Sequence, residues 1–238
     1  MKSDKPVIKR FFKTVSCQPE GRSWIVMLDE KTLRTPARSV LRLPTKALAE
    51  LVAAEWEAQT EAIRPDFMPI SRLANVAHDH MGMNKAASAG ELVRFAASDL
   101  LCFRVAEPLD LQELQVKEWD IWLDWAEEKF GARLGVSTSL TPPDIPLDAL
   151  ENMRNAALNM EPFALTAMLH ASALLGSCVL GFALLDAKLG AQQAFDLSRI
   201  EEDWQIQQWG EDEEAKARAD GLLAFLEAST RFMLAAQE

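Results

Sequence analysis

The N-terminal part of the chain is built from short apolar runs. Residues 12–17, 24–28, 32–35 and 40–43 are rich in β-branched or aromatic side chains, and Pro19-Glu20-Gly21, Asp29-Glu30-Lys31 and Pro36-Ala37-Arg38 separate them. Runs of this length between turn residues predict strands. Four in succession predict an antiparallel meander, which cannot bury a face alone and needs a helix against it. Thr45, behind Pro44, is placed to cap that helix. Leu48, Leu51, Val52 and Trp56 then share one face, with Glu55 and Gln59 as its polar end. The helix is expected to stop near Arg64-Pro65, because a residue before proline disfavours helical backbone.

Residues 66–90 are less regular. The stretch 70–77 fits a short helix, whereas 81–90, with Gly82, Gly90 and small polar residues, reads as a hinge or loop and as the domain boundary. From Glu91 onward the period is helical. Val116, Trp119, Leu123, Ala126 and Phe130 recur at spacings of three and four, and Trp122 and Trp125 widen that stripe. Thr141-Pro142-Pro143-Asp144-Ile145-Pro146 breaks the pattern as an extended loop. A helix is predicted over 147–159, followed by a long apolar one to about Leu189 with Gly190 as its stop. Another passes through Ile200 and Trp204, with Ser198 and Glu201 at capping-box spacing. The last covers 213–235, with Leu222, Phe225, Leu226, Ser229 and Met233 on one face. The predicted class is α+β. A small N-terminal domain, residues 1–85, has antiparallel β structure and a packed helix. An all-helical, orthogonal-bundle-like domain, residues 86–238, follows it. All strands are expected before about residue 80.

Residues 163–185 carry no Asp, Glu, Lys or Arg, and that length can span a bilayer. Thr166, His170, Ser172 and Ser177 interrupt the run, and its flanks are Glu161 and Asp186 rather than Lys or Arg. A helix apolar all round also suits the centre of a soluble bundle. That is the predicted role, since the amphipathic helices around it need a central partner.

Charge narrows the partners. A net charge of −11 opposes nucleic acid, whose phosphates need basic neutralisation. Lys9, Arg10 and Lys13 form only a small basic cluster. Cys17, Cys102 and Cys178 are far apart and form no CxxC, so they read as reduced, mostly buried thiols. The opening Met-Lys-Ser-Asp-Lys-Pro is followed by neither an apolar run nor an Arg-rich amphipathic segment. A bacterial cytoplasmic protein is expected, or a mitochondrial matrix protein if the chain is a processed one.

Motifs for chemistry are absent. None of the ten glycines lies in G-x-x-x-x-G-K-[ST] or G-x-G-x-x-G, so ATP-driven action has no visible basis. There is no H-E-x-x-H and no G-x-S-x-G. His78-Asp79-His80 is the one histidine cluster, and residues two apart do not share a helix face. No catalytic, cofactor-binding or metal-ligating residue is assigned, and no cofactor is expected.

One segment stands apart. From Glu201 to Glu214 there are seven acidic residues, Trp204 and Trp209, and no basic residue. As catalytic machinery, two carboxylates would have to face each other at a defined separation. As a binding surface, tryptophan beside charge makes an anchor with a polar rim. As a plain helix end, it is a solvated charge run with both tryptophans packed inward.

Read in full, Ser198-Arg-Ile-Glu-Glu-Asp-Trp-Gln-Ile-Gln-Gln-Trp-Gly-Glu-Asp-Glu-Glu-Ala resembles the C-terminal signature of the assembly chaperones for the alpha subunit of the ATP synthase catalytic sector, the ATP-twelve family. Further stretches agree in order: Arg10-Phe-Phe-Lys13, Leu28-Asp-Glu-Lys-Thr-Leu-Arg-Thr-Pro36, and Glu55-Trp-Glu-Ala-Gln59 with Met68-Pro-Ile-Ser-Arg-Leu-Ala-Asn75. So do Asp99-Leu-Leu-Cys-Phe-Arg104, Trp119-Asp120 and Leu123-Asp-Trp125. Glu30 stands where the family usually has glycine, Phe12, Phe95 and Phe103 stand at frequent tyrosine positions, and residues 136–146 diverge.

The resemblance implies a small β-rich domain followed by a helical bundle. It also implies a non-enzymatic chaperone that shields the alpha-subunit surface destined for the beta subunit. ATP-independent action is expected from the missing phosphate-loop motifs, and a monomer is expected. It raises the binding reading of the acidic segment, with Glu201, Glu202, Asp203, Gln205, Trp209 and Asp212 as expected partner-binding residues. The rival readings are an uncharacterised enzyme using residues 201–214 and a membrane-associated assembly factor using residues 163–185.

Overall fold

The computed structural model describes residues 8–131, 133–139, 141 and 143–237. The expectation about the opening residues, and Pro142 of the predicted loop, lie outside these. All strands among the described residues fall before residue 64: β1 (Ile8–Lys9), β2 (Val15–Glu20), β3 (Ser23–Leu28), β4 (Lys31–Thr32) and β5 (Ala62–Ile63). β2, β3 and β4 form an antiparallel sheet in that order, and β1 pairs with β5. Val15 lies opposite Leu28 and Glu20 opposite Ser23, so β2 runs through the predicted turn at Pro19. Proline is tolerated there because β2 is an edge strand. Without the family's glycine at Glu30, Asp29 takes the left-handed conformation, at φ 54°. Its carboxylate accepts the Lys13 and Thr14 N–H groups, each at 2.9 Å, which anchors a residue type that tolerates this region.

The predicted fourth strand does not form. Residues 40–43 make only single bridges, Val40 to Arg34 and Leu43 to Trp24. Arg38, at φ 66°, lies in the turn between Arg34 and Val40, and the pairing continues beyond it by the Leu41 N–H to the Leu33 carbonyl at 3.1 Å.

The predicted helix is α1 (Lys46–Glu57), packed on β2 and β3. Thr45 caps it, its hydroxyl accepting the Leu48 N–H at 3.0 Å. The helix ends well before Arg64-Pro65. Arg10 donates to the Glu57 carbonyl at 2.9 Å, satisfying a helix-end acceptor. The Gln59 amide bridges the Glu55 carbonyl at 3.0 Å and the Arg64 N–H at 2.8 Å. These contacts turn the chain into β5, one from the distant Arg10 and two from the nearby Gln59.

Glu55 also starts the next helix. Its two carboxylate oxygens accept the Ile70 and Ser71 N–H groups, each at 2.7 Å, at the first turn of α2 (Pro69–Val76). Glu55→Ala should therefore lower unfolding free energy by about 1–2 kcal/mol, and Glu55→Gln by less, in urea titrations. A wild-type midpoint for Glu55→Ala would remove this role.

Residues 81–90 are helical rather than a hinge. One wider π turn, Ala77–Met81, links α2 to α3 (Gly82–Ala97). Each glycine costs a helix about 1 kcal/mol, and Ala86, Ala87 and Ala89 beside them favour it.

The remaining helices are α4 (Leu109–Phe130), α5 (Leu147–Asn159), α6 (Pro162–Leu175), α7 (Cys178–Leu185), α8 (Ala191–Ser198), α9 (Ile200–Trp209) and α10 (Glu213–Ala235). The long apolar helix is thus two. Gly176 breaks it at φ 63°, and the Ser177 hydroxyl caps α7 by accepting the Leu180 N–H at 3.0 Å. Within residues 163–185 only Ala173 is exposed, so the segment is interior as expected. A Cβ on Gly181 would stand 2.4 Å from Ser172 Oγ, so glycine is what lets α7 approach α6. No helix among the described residues is long and apolar enough to cross a membrane. Gly190 precedes α8 rather than stopping a helix. Ser198 makes no capping box, because its hydroxyl donates to the Phe195 carbonyl at 2.7 Å and α9 starts behind Arg199. Trp119, Leu123, Ala126 and Phe130 are buried as predicted, but Val116 and Leu222 are exposed at the edges of their stripes.

Packing divides the described chain into two units. One contains the described residues up to Asn84, Glu161–Thr166 and those from Arg231 onward; the other contains Lys85–Met160 and Ala167–Thr230. In the first, the Thr45 hydroxyl donates to the Ala235 carbonyl at 2.5 Å and Phe163 stacks on Phe232 at 6.2 Å. The second has its core around α4, which packs on α5, α7 and α9.

Candidate functional site

The acidic segment becomes α9, a linker and the start of α10. Glu201, Glu202 and Asp203 occupy the first turn of α9, where carboxylates stabilise the positive helix end. Glu201 and Glu202 are exposed and have no hydrogen-bond or ion-pair partner among the described residues. Asp203 differs. It is half-buried, and burial holds its carboxyl above the usual range. Arg199 Nε, 3.7 Å away, pulls the other way, and Asp196, Glu202 and Glu211 push it further up.

Helical spacing sorts the segment into two faces. Glu201, Gln205 and Trp209 follow one another at intervals of four along an exposed face. Trp209 is 75% exposed, against the plain-helix-end reading in which both tryptophans pack inward. Trp204 does turn in: its Nε1 donates to the Asp110 carboxylate at 3.1 Å, and its ring meets Trp209 edge to face at 6.0 Å. Asp212 has a local task, accepting the Glu214 N–H at 2.9 Å ahead of α10. Farther along, Glu211 pairs with Lys216 and Glu214 with Arg218.

Asp203 reaches a groove that sequence reasoning missed. Leu114, Ile121 and Trp122 of α4 form one wall, and Leu197, Ile200 and Trp204 of α8 and α9 form the other. The groove has a volume of about 450 Å³ and is open to solvent. Its ionisable lining residues are Glu118, Asp196 and Asp203, all acidic. Of the expected partner-binding residues, only Asp203 lines it; Glu201, Glu202, Gln205, Trp209 and Asp212 lie elsewhere on the segment. The missed signal was the spacing of Asp196, Ile200, Asp203, Trp204 and Gln207, which continues one stripe across the junction of α8 and α9.

The other chemical candidates have structural employment. Asp79 accepts the Ala37 N–H at 3.4 Å and lies 3.3 Å from His78 Nδ1. His170 Nδ1 lies 2.8 Å from Ser229 Oγ, which donates to the Phe225 carbonyl and so has its proton committed. Among the described residues no group of three His, Cys, Asp or Glu is placed to hold a metal ion.

A sequence model described as ATP12 chaperone protein matches residues 9–127. The crystal structure of Atp12 from Paracoccus denitrificans is 38% identical, with a TM-score of 0.90 over 95% of this chain and 97% of its own. The chain belongs to the ATP12 chaperone family. A mutant of the Paracoccus Atp12 with lysine in place of an aspartate matches at 0.91, with 38% identity over 96% of this chain and 98% of its own. The mitochondrial protein atp12 of Schizosaccharomyces pombe is 24% identical over 225 residues, 89% of this chain and 77% of that protein. The matched ATP12 segment ends before α9, whereas the structural likeness extends over nearly the whole chain.

Proposed function

We propose that this ATP12-family chaperone binds the unassembled alpha subunit of the ATP synthase catalytic sector, prevents its aggregation and releases it to its assembly partner without nucleotide hydrolysis. The observation that carries this reading is the exposed face of α9, where Glu201 and Glu202 stand without partners beside a solvent-facing Trp209. An isolated subunit exposes an apolar interface that aggregates. A cap that must later yield to the true partner needs an aromatic anchor and steering charge rather than extreme affinity. Glu201, Glu202, Asp203, Gln205, Trp209 and Asp212 are assigned to that contact. The alpha subunit is named on the resemblance of residues 198–215 and of the earlier stretches. Action without ATP rests on the missing phosphate-loop motifs. The compartment is the one in which the catalytic sector is assembled, a bacterial cytoplasm or a mitochondrial matrix. The enzyme reading is weaker, because Asp203 sits in an open groove rather than a closed pocket.

The test is Glu202→Lys. Surface changes usually shift stability by only about ±0.5 kcal/mol, and the Paracoccus relative keeps the shared fold with a lysine in place of an aspartate. The thermal midpoint should therefore hold while soluble alpha subunit on co-expression falls, since reversal replaces attraction with repulsion. Trp209→Ala should behave likewise. Full solubilisation by lysine at Glu201, Glu202 and Asp203 in turn would reject the assignment, and a collapsed midpoint would make these carboxylates structural.

A further inference from the structure

We infer that the groove between α4 and the α8–α9 pair seats a short amphipathic helix of the client, with apolar side chains against Ile121, Trp122, Ile200 and Trp204 and an arginine or lysine held by Asp196 and Asp203. This deepens the proposed reading and rests on it for the identity of the client, though not for the chemistry of the seat.

Three observations fix the occupant. The first is charge. Among the groove's lining residues Glu118, Asp196 and Asp203 are ionisable and none is basic. Each carboxylate already has a weak or local partner: Lys117 at 2.8 Å from Glu118, Gln192 at 2.7 Å from Asp196 and Arg199 at 3.7 Å from Asp203. The Arg199 contact is long, so a cation arriving from outside meets an under-neutralised pair. An arginine fits best, because its planar fork can engage two carboxylate oxygens at once. An acidic occupant would be repelled.

The second is the walls. Both are helical, and helices bond their own backbone groups, so an extended peptide would find no strand edge to pair with. A segment that satisfies its own backbone, a helix, fits such walls. The third is length. On α4 the wall runs from Leu114 to Trp122, and on α9 from Ile200 to Gln207. At about 1.5 Å rise per residue, these span roughly 10–12 Å, or about two helical turns. That accommodates anchors at i, i+3 or i+4, and i+7, the usual reading of a helix in a groove. Ile121 is 57% exposed although it is a large apolar side chain in mid-helix, as a residue awaiting cover would be.

The experiment uses the intact chain and synthetic peptides of about 14 residues, close to four helical turns. One has leucines at i, i+3, i+4 and i+7 with flanking arginines. A second replaces the arginines by glutamates, and a third scrambles the first. Isothermal titration calorimetry should show the first binding at least about tenfold more tightly than either control. Ile121→Glu and Asp203→Asn should each weaken it by about tenfold, with thermal midpoints close to that of the wild type. Equal binding of the arginine and glutamate peptides, or wild-type binding to Ile121→Glu, would overturn the inference. So would anilinonaphthalenesulfonate filling the groove without competition from the peptide, which would mark a small-molecule site. Co-expression with the alpha subunit separates this result from the broader reading. If Ile121→Glu loses the peptide but solubilises the subunit fully, the groove is not the client's seat and the exposed face of α9 stands alone. If the arginine peptide binds as expected while Glu202→Lys leaves solubilisation intact, the seat stands and the assignment of the exposed face falls.

Discussion

Replacing Trp119 by alanine should cost about 3–5 kcal/mol of unfolding free energy, the usual range for emptying a buried tryptophan site. The ring is 2% exposed at the centre of α4, and its Nε1 donates to the Leu197 carbonyl at 2.8 Å. The Arg104 guanidinium lies over the ring at 5.0 Å. It donates to the Phe103 carbonyl at 2.9 Å, to the Asp120 carboxylate at 2.6 Å and to the Leu101 carbonyl. Truncation therefore removes a large packed volume and the surface that Arg104 covers, and leaves the Leu197 carbonyl without its partner. Leu197 forms part of the groove wall, so the same change should loosen the seat beside α9. Trp119→Phe is the informative companion. It keeps most of the packing and loses the Nε1 bond, a difference of about 1 kcal/mol. Urea titrations of both variants, with arginine-peptide binding as a second readout, check the argument. A loss below about 1 kcal/mol for the alanine variant would mean that the site collapses around the gap.

The Trp119 cluster also shows what was legible in the sequence. Trp119 was read from its helical stripe as well as from the family resemblance, whereas Asp99, Arg104 and Asp120 entered through the resemblance alone, and the structure gives each a physical task. Elements with local signals came through well. Thr45 caps α1, and the ranges 147–159 and 213–235 coincide with α5 and α10. The confinement of the strands among the described residues to the part before residue 64, with only helices as regular elements of any length beyond it, was equally legible, because the short apolar runs and the three-four stripes do not overlap along this chain.

The misses have two causes, contacts that a single stretch does not show and segments whose pattern carries no contrast. α1 ends where Arg10 and Gln59 take its carbonyls. α6 and α7 are apolar almost all round, so periodicity carries no contrast and Gly176 marks the break. Trp204 and Trp209 carry the same side chain, and the contact that Trp204 makes with Asp110, 94 residues away, is not visible in the segment itself. The groove could not be read from a single stretch, since its walls lie far apart in sequence: Leu114 to Trp122 on one side and Asp196 to Gln207 on the other.

Asp99 provides the second large effect. It is fully buried, yet it accepts the Leu101 and Val179 N–H groups, each at 3.0 Å, with the Ser177 hydroxyl and the Cys178 N–H adding to them. It thus ties the turn Leu100–Cys102 to the start of α7. Asp99→Ala strands several buried donors at about 1–3 kcal/mol each, so a loss of about 3–5 kcal/mol is expected. Asp99→Asn should lose less, because one oxygen remains to accept while the amide N–H₂ faces donors. The pH dependence tests which force governs the carboxylate. Burial raises its pKa from 3.8 to about 6, against the pull of its donors. A raised value means that the native state holds the proton more tightly than the unfolded chain does. The stabilisation from protonation is complete below pH 4 and is lost as pH rises through about 6. At about 1.36 kcal/mol per pKa unit, the difference amounts to roughly 3 kcal/mol. Asparagine does not titrate, so the stability gap between wild type and Asp99→Asn should narrow by about that amount between pH 4 and pH 7.5. Urea titrations of both proteins across this range measure it, and the subtraction removes the other carboxylates. A gap that widens with pH would reverse the conclusion, because the N–H donors would then outweigh burial and hold Asp99 charged in the core.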